Sequence, residues 1–168
     1  MTAVLTLAAC SPKTSAVVKL DGSPRHADAE GVVQRASING ITLDGGRTYT
    51  VNPHLIAFST YDRTPIQLAT TIGEYVQVGL RKNQVVWLAR IGLVATAADG
   101  SHVVQYQGDL VRIVGRELVF RDGTVLTLAM GLKPPAGATG STYAVIDPSR
   151  HLVQGATFAP ATTTTTRR

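Results

Sequence analysis

The stretch Gly31-Val32-Val33-Gln34-Arg35-Ala36-Ser37-Ile38-Asn39-Gly40-Ile41-Thr42-Leu43-Asp44-Gly45-Gly46-Arg47-Thr48-Tyr49-Thr50-Val51 decides the fold. It holds three short β-type runs, 32–37, 41–43 and 47–51, separated by Asn39-Gly40 and by Asp44-Gly45-Gly46. Val, Ile, Thr and Tyr suit a pleated, half-buried surface. The Asn-Gly and Asp-Gly pairs supply the positive φ angles that tight hairpins need. Two further runs follow at 75–80 and 84–91. Between the third and fourth runs, Thr64 suits an N-cap and Pro65 a first helical position, so a short helix is expected over 64–70.

Three strands, a helix and two strands is the order of an OB-type barrel. The order then recurs. Residues 31–51 align with 108–128 without a gap, setting Gly31, Arg35, Gly46 and Thr50 on Gly108, Arg112, Gly123 and Thr127. A second ungapped block sets 73–92 on 140–159, where Gly73, Val78, Val86 and Ala89 meet Gly140, Val145, Val153 and Ala156. The segment between the blocks is long in the first copy (52–72) and short in the second (129–139). The expected fold is therefore all-β: a tandem duplication of two small OB-like five-stranded barrels, with a short helix in the first. Each copy alone is near the size at which a core is marginal. Trp87 and Tyr106 are candidate aromatics for packing one copy on the other, and Ala98-Asp99-Gly100 is a turn that would join them directly.

The frame Gly31-Val32-Val33, Ile41-Thr42-Leu43-Asp44-Gly45, Tyr49-Thr50-Val51, Gly73-Glu74-Tyr75-Val76-Gln77-Val78 and Val85-Val86-Trp87-Leu88-Ala89-Arg90-Ile91 resembles the small OB-like barrels of bacterial exported proteins. That resemblance implies a fold and an address, and it carries over no catalytic residue. Near the start, Leu7-Ala8-Ala9-Cys10 follows a short apolar stretch and resembles the lipobox of bacterial lipoproteins. The resemblance implies that Cys10 becomes the lipidated first residue, so that the chain is anchored to a membrane without spanning it. No Lys or Arg precedes the apolar stretch, so a truncated signal is expected. The expected layout is an export signal over 1–9, a tether over 10–30, barrel one over 31–92, a tight connection over 93–107, barrel two over 108–159, and a disordered Thr-rich tail over 160–168.

Composition bounds the function. Of the 168 residues, 44% are hydrophobic and 16% charged, so there is material for a core and little for a highly charged surface. The net charge of +5 is mild and spread along the chain. One Cys excludes a disulfide framework and any Cys-clustered metal site. The four histidines, at 26, 54, 102 and 151, lack a metal-ligand spacing, and no P-loop, dinucleotide turn or G-x-S-x-G elbow is present. Neither an enzyme, a cofactor nor a metal is expected.

Functional residues gather on loops held by rigid scaffolds. The polar and aromatic group Tyr61-Asp62-Arg63 is thus a candidate recognition surface, with Tyr61 for stacking and Arg63 for an anion. The alternative for this segment is a cover over one end of the barrel, with Phe58, Ile66 and Leu68 plugging the core and Asp62 pairing with Arg63 or capping the helix. OB barrels also bind through strands 2–3 and the adjoining loops, which here hold Arg47, Arg81, Lys82 and Asn83, and in the second copy Arg116, Arg121 and Arg150. Basic density and exposed aromatics are too sparse for nucleic acid. The expected function is a non-enzymatic, lipid-anchored cell-envelope protein that docks a protein partner or scaffolds an envelope complex. The alternative is a binding protein for an anionic envelope glycan or small ligand.

Overall fold

The computed structural model describes residues 23–159. Cys10, the segment expected as an export signal, most of the expected tether and the Thr-rich residues 160–168 lie outside the described residues. The described chain is all-β, and ten strands join into one mainly antiparallel sheet. In chain order they are β1 (Ala29–Ser37), β2 (Gly40–Leu43), β3 (Thr48–Ser59), β4 (Glu74–Arg81), β5 (Gln84–Thr96), β6 (His102–Val114), β7 (Glu117–Phe120), β8 (Val125–Thr127), β9 (Gly140–Asp147) and β10 (Leu152–Phe158).

The pairings return on themselves. β1 pairs with β2, β2 with β3, β3 in parallel with β5, β5 with β4, and β4 again with β1. The second half follows the same order: β6 with β7, β7 with β8, β10 with β9, and β9 with β6. There the parallel step is a single bridge, Leu128 to Val153. Fine detail matches as well. β1 bulges between Val33 and Arg35, and β6 bulges between Leu110 and Arg112. Leu43 N–H donates to the Arg47 carbonyl and Phe120 N–H to that of Thr124. Val51 N–H donates to Asn39 and Leu128 N–H to Arg116. These are the positions that the first ungapped block aligns.

The second block needs a correction. Gly31 pairs with Val76 and Gly108 with Thr142, so β9 matches β4 one residue earlier than the ungapped alignment places it. Val51 pairs with Val85 while Leu128 bridges to Val153, so β10 matches β5 one residue later. The cause is the hairpin. Arg81 pairs with Gln84 across Lys82-Asn83, whereas Asp147 pairs with Leu152 across the four residues 148–151. Burial agrees, because a one-residue slip turns side chains to the other face. Val78 corresponds to Ala144, and both are fully buried; its ungapped match Val145 is only half-buried.

The helix expected over 64–70 does not form. Pro65 instead bridges to Phe58, and Ile66 N–H donates to the Ala57 carbonyl. Only a 3-10 turn, Leu68–Thr71, remains, closed by Thr70 and Thr71 hydroxyls donating to the carbonyls of Gln67 and Leu68. Local capping signals lose here to cross-strand pairing. The third strand is also longer than its sequence run, continuing through Pro53 to Ser59. Proline lacks the ladder donor, and the β3–β5 register jumps between Val51 and Ile56, which accommodates it. His54 N–H finds Asn52 Oδ1 instead at 2.9 Å.

Two apolar clusters form the core. The smaller lies within the first half and includes Val33, Ile41, Leu43, Val76, Val78, Val85 and Leu88. The larger combines Phe58, Tyr75, Ala89 and Ile91 from the first half with Tyr106, Leu110, Leu118, Phe120, Leu128, Ala144 and Val153 from the second. On β4, Val76 and Val78 enter one cluster and Tyr75 the other, as the strand period of two requires. This explains why six consecutive β4 residues, from Glu74 to Gly79, are buried. The halves also join through Val94–Thr96 paired with His102–Val104, with the expected turn closed by Gly100 N–H on the Ala97 carbonyl.

Residues 25–30, expected in the tether, belong to the fold. Arg25 N–H donates to the Gly123 carbonyl, and Asp28 N–H to that of Val78. Asp28 Oδ2 accepts from Leu80 N–H at 2.7 Å, and Ala29 and Glu30 open β1.

Candidate functional site

The six binding candidates fall at three places. Tyr61, Asp62 and Arg63 form the tip beyond β3. Arg81 and Lys82 share the β4–β5 hairpin, where Lys82 and Asn83 take φ angles of 50° and 61° as a primed two-residue turn requires. Arg47 stands apart, donating to the Glu30 carbonyl at 2.7 Å and lying 3.7 Å from Asp44. That places it as a brace between β1 and the turn after β2.

The tip is rigid for reasons local to its sequence. Ser59 N–H donates to the Thr64 carbonyl and Arg63 N–H to that of Ser59. Asp62 Oδ1 accepts both Thr64 N–H and the Thr64 hydroxyl. Those Thr64 bonds, the hydroxyl's first, hold the Asp62 carboxyl below its ordinary range. Asp62 thus shapes the turn and neither caps a helix nor pairs with Arg63. Thr60 ties the tip to β5 through its N–H and hydroxyl, both donating to the Arg90 carbonyl. Phe58 is buried just inside the tip, while Ile66 and Leu68 pack on the smaller cluster, as the covering role predicts. Tyr61 is left 81% exposed.

The tip stands over the second half and closes a polar cleft of about 320 Å³. One wall is Thr60, Tyr61 and Arg63; the other is Gln107, Gly108 and Asp109 of β6, with Arg121 and Ser141. A smaller hollow of about 200 Å³ shares Thr60, Tyr61, Tyr106 and Gln107 and extends the cleft toward Gln105 and Tyr143. Arg121 Nε lies 3.5 Å from Asp109 Oδ2.

Tyr106 and Asp122 form the floor. The Tyr106 hydroxyl donates to Asp122 Oδ2 at 3.1 Å, and Thr124 N–H donates to Oδ1 at 2.8 Å. Burial, and then the Asp122 charge, push the Tyr106 hydroxyl well above its ordinary pKa, so it stays a donor. Tyr106 also meets Phe120 edge-on, with ring centroids 4.7 Å apart. A Cβ at Gly108 would come within 2.5 Å of the Tyr106 hydroxyl, which fixes glycine there.

Arg25 holds this floor from behind. Its guanidinium donates to the Asp122 carbonyl at 2.8 Å and to the Thr124 hydroxyl at 3.2 Å. The same group lies 4.6 Å from the Phe58 ring centroid and 5.1 Å from that of Trp87. One side chain from the segment before β1 therefore touches both halves. Burial lowers its pKa and the Asp122 charge opposes that shift. Trp87 reaches the junction, as expected, through this contact and through packing on the larger cluster. Tyr106 lies within that cluster.

A second polar contact crosses the halves. The Tyr75 hydroxyl is 3.0 Å from His151 Nδ1, whose ring also lies 3.5 Å from Glu30 Oε1. Gln77 Nε2 donates to Glu30 Oε2 and to the Val125 carbonyl. Burial, with Glu30 adding to it, raises the Tyr75 pKa.

Of the candidate residues, the cleft takes Tyr61 and Arg63. It leaves Arg47, Arg81 and Lys82 outside its lining. Arg121, one of the basic residues expected at the second copy's binding loops, lines the cleft, whereas nothing in the sequence pointed to Tyr143. Arg121 sits at an expected turn, and Tyr143 is one outward position of an ordinary strand run. Among known protein families, curated proteins and solved structures, none matches this chain.

Proposed function

We propose that this protein is a non-enzymatic, lipid-anchored binding protein of the cell envelope, built from two OB-like units in tandem. The matched pairing order of the two halves supports the tandem reading. The Leu7-Ala8-Ala9-Cys10 sequence supports the anchor. The observation that carries the function is the junction cleft: it has a rigid tip, polar walls and an exposed tyrosine at its mouth. Ligand pockets combine apolar or aromatic surface with a few fixed polar groups, and they favour junctions between structural units. Of the two partner classes expected from the sequence, an anionic glycan or small ligand fits this concave, hydroxyl- and amide-lined site better than a flat protein surface does. The Tyr61 side chain, 81% exposed at the tip, supports protein docking as a second reading, since Tyr and Arg dominate binding hot spots.

The test is retention of the full chain on isolated envelope glycan at rising salt. Binding should weaken with salt and fall at least about tenfold in a Tyr61→Ala, Arg63→Asn double variant. Neutralising Arg81 and Lys82 should leave it unchanged. Loss in the hairpin variant with retention in the tip variant would refute the cleft. Specific photocrosslinking of a protein from position 61 in cells, with no glycan retention, would favour the second reading. For the anchor, Cys10→Ser should move the protein out of the membrane fraction; an unchanged distribution would refute lipidation.

A further inference from the structure

We infer that the junction cleft takes a saccharide bearing a single carboxylate, with the carboxylate on Arg63 and the sugar ring against Tyr61 and Tyr143. This rests on the cleft being a binding site. The argument begins with charge. Two guanidinium groups border the cleft, but Arg121 is engaged by Asp109 at 3.5 Å. Arg63 has no hydrogen bond or ion pair on its guanidinium among the described residues, and its backbone is pinned to Ser59. A planar guanidinium held on a fixed turn is suited to a two-pronged carboxylate contact. The Asp122 carboxylate on the floor is occupied by the Tyr106 hydroxyl and Thr124 N–H and faces the Arg25 charge behind it, so one unengaged cation remains beside the Asp109–Arg121 pair for one ligand anion. A polyanion would meet the Asp109 carboxylate, and a phosphate dianion would lack a second unengaged cation.

The rest of the lining specifies what carries the carboxylate. Gln105, Gln107 and Ser141 offer hydroxyl and amide groups that both donate and accept, and the Thr60 hydroxyl, its proton held by the Arg90 carbonyl, can still accept. That is the complement of a ring of hydroxyls. Tyr61 and Tyr143 are 81% and 36% exposed, and both line the hollow that adjoins the cleft. Their ring faces are apolar surfaces on which the C–H face of a sugar can lie. The site lies on the first strand and second turn of the second half together with the tip of the first. It is therefore distinct from the strand 2–3 face by which OB barrels commonly bind.

The test uses a matched pair, N-acetylmuramate and N-acetylglucosamine, which differ by one carboxylate-bearing lactyl group. Both are titrated into the full chain and followed by NMR. The expected result is affinity about tenfold higher for N-acetylmuramate, the scale of one charge-assisted contact. Arg63 has a left-handed backbone, φ 60°, which Asn tolerates, so Arg63→Asn should abolish that difference while N-acetylglucosamine binding stays unchanged. Tyr61→Ala should weaken both sugars alike. Equal affinity for the two sugars, or a difference that survives Arg63→Asn, overturns the inference. So does absence of binding by either sugar. If envelope glycan is still retained through Tyr61 in those cases, the cleft remains the binding site and only its ligand class is wrong.

Discussion

The two halves share a pairing order but spend their residues differently. In the first, β3 runs for twelve residues and ends in the Tyr61–Arg63 tip. In the second, β8 has three residues, and only the next residue, Leu128, meets β10, at a single bridge. The first half has a cluster of its own, whereas the buried side chains of the second join Phe58, Tyr75, Ala89 and Ile91 of the first. The lesson is that the long β3 serves its neighbour. It supplies Phe58 to the shared core and the tip to the cleft, so the second half leans on the first.

That asymmetry can be broken most forcefully in the shared core. Phe120→Ala removes a fully buried ring and should cost about 3–5 kcal/mol. Because the cluster spans both halves, denaturant unfolding of wild type and variant should each remain one transition. Two separated transitions would mean the halves fold independently. Next is the residue that touches both. Arg25→Met removes the charged donor to Asp122 and Thr124 and should cost about 1.5–3 kcal/mol in the same experiment. No loss would mean the segment before β1 is a passive lead-in.

A pair of glycines sharpens the comparison at smaller scale. Gly79 pairs with Trp87, and the corresponding pair in the second half is Val145 with Gly155. The bulky partner has changed strands. A Cβ at Gly79 would fall 1.8 Å from Trp87 Nε1, while one at Gly155 meets nothing within 4 Å. Gly79→Ala should therefore destabilise by about 1–3 kcal/mol. Gly155→Ala should be neutral or stabilise by up to about 1 kcal/mol. Equal effects would contradict the correspondence.

The hairpins give the smallest effect. Arg81 and Asp147 occupy matched positions, but only the longer turn has a carboxylate to hold it. Asp147 Oδ1 accepts from the Ser149 hydroxyl at 2.6 Å, Ser149 N–H at 2.9 Å and Arg150 N–H at 3.2 Å. These bonds, the Ser149 hydroxyl's first, lower its pKa in the folded chain. The stabilisation is thus present above the unfolded-state value of about 4 and is lost as pH falls through the folded value below it. Asp147→Asn should cost about 1 kcal/mol near neutral pH and flatten the acid limb of a stability–pH curve. An unchanged acid limb would exclude Asp147 from that role.

Much of this fold was legible in the sequence. The turns at Asn39-Gly40 and Gly45-Gly46 and the alternation around Ile41 and Leu43 are local features, and local features survive folding. The bulges and turn bonds of 31–51 fall at the same spacing as those of 108–128 for the same reason. The Val and Gly identities of the second block are out of step with the pairing, because the turn between Asp147 and Leu152 is two residues longer than that between Arg81 and Gln84. Thr64-Pro65 reads as a helix start, yet the cross-strand bond from Ile66 to Ala57 and the Pro65–Phe58 bridge prevail. Of the site, Tyr61 and Arg63 were legible as a polar group in an apolar chain. Arg25 was not, because a lone Arg in a Ser- and Pro-containing segment gives no sign of the rings and carbonyls it will meet. Arg121 was legible as one of the second copy's basic loop residues, whereas Tyr143 becomes a site residue only once the first half's tip is placed over the second.

The most direct test of the central claim is an amide NMR map of the full chain titrated with soluble envelope-glycan fragments. The account predicts shifts clustered at Tyr61, Arg63, Gln107, Arg121 and Tyr143. Shifts confined to the Arg81–Asn83 hairpin, with the cleft silent, would contradict it.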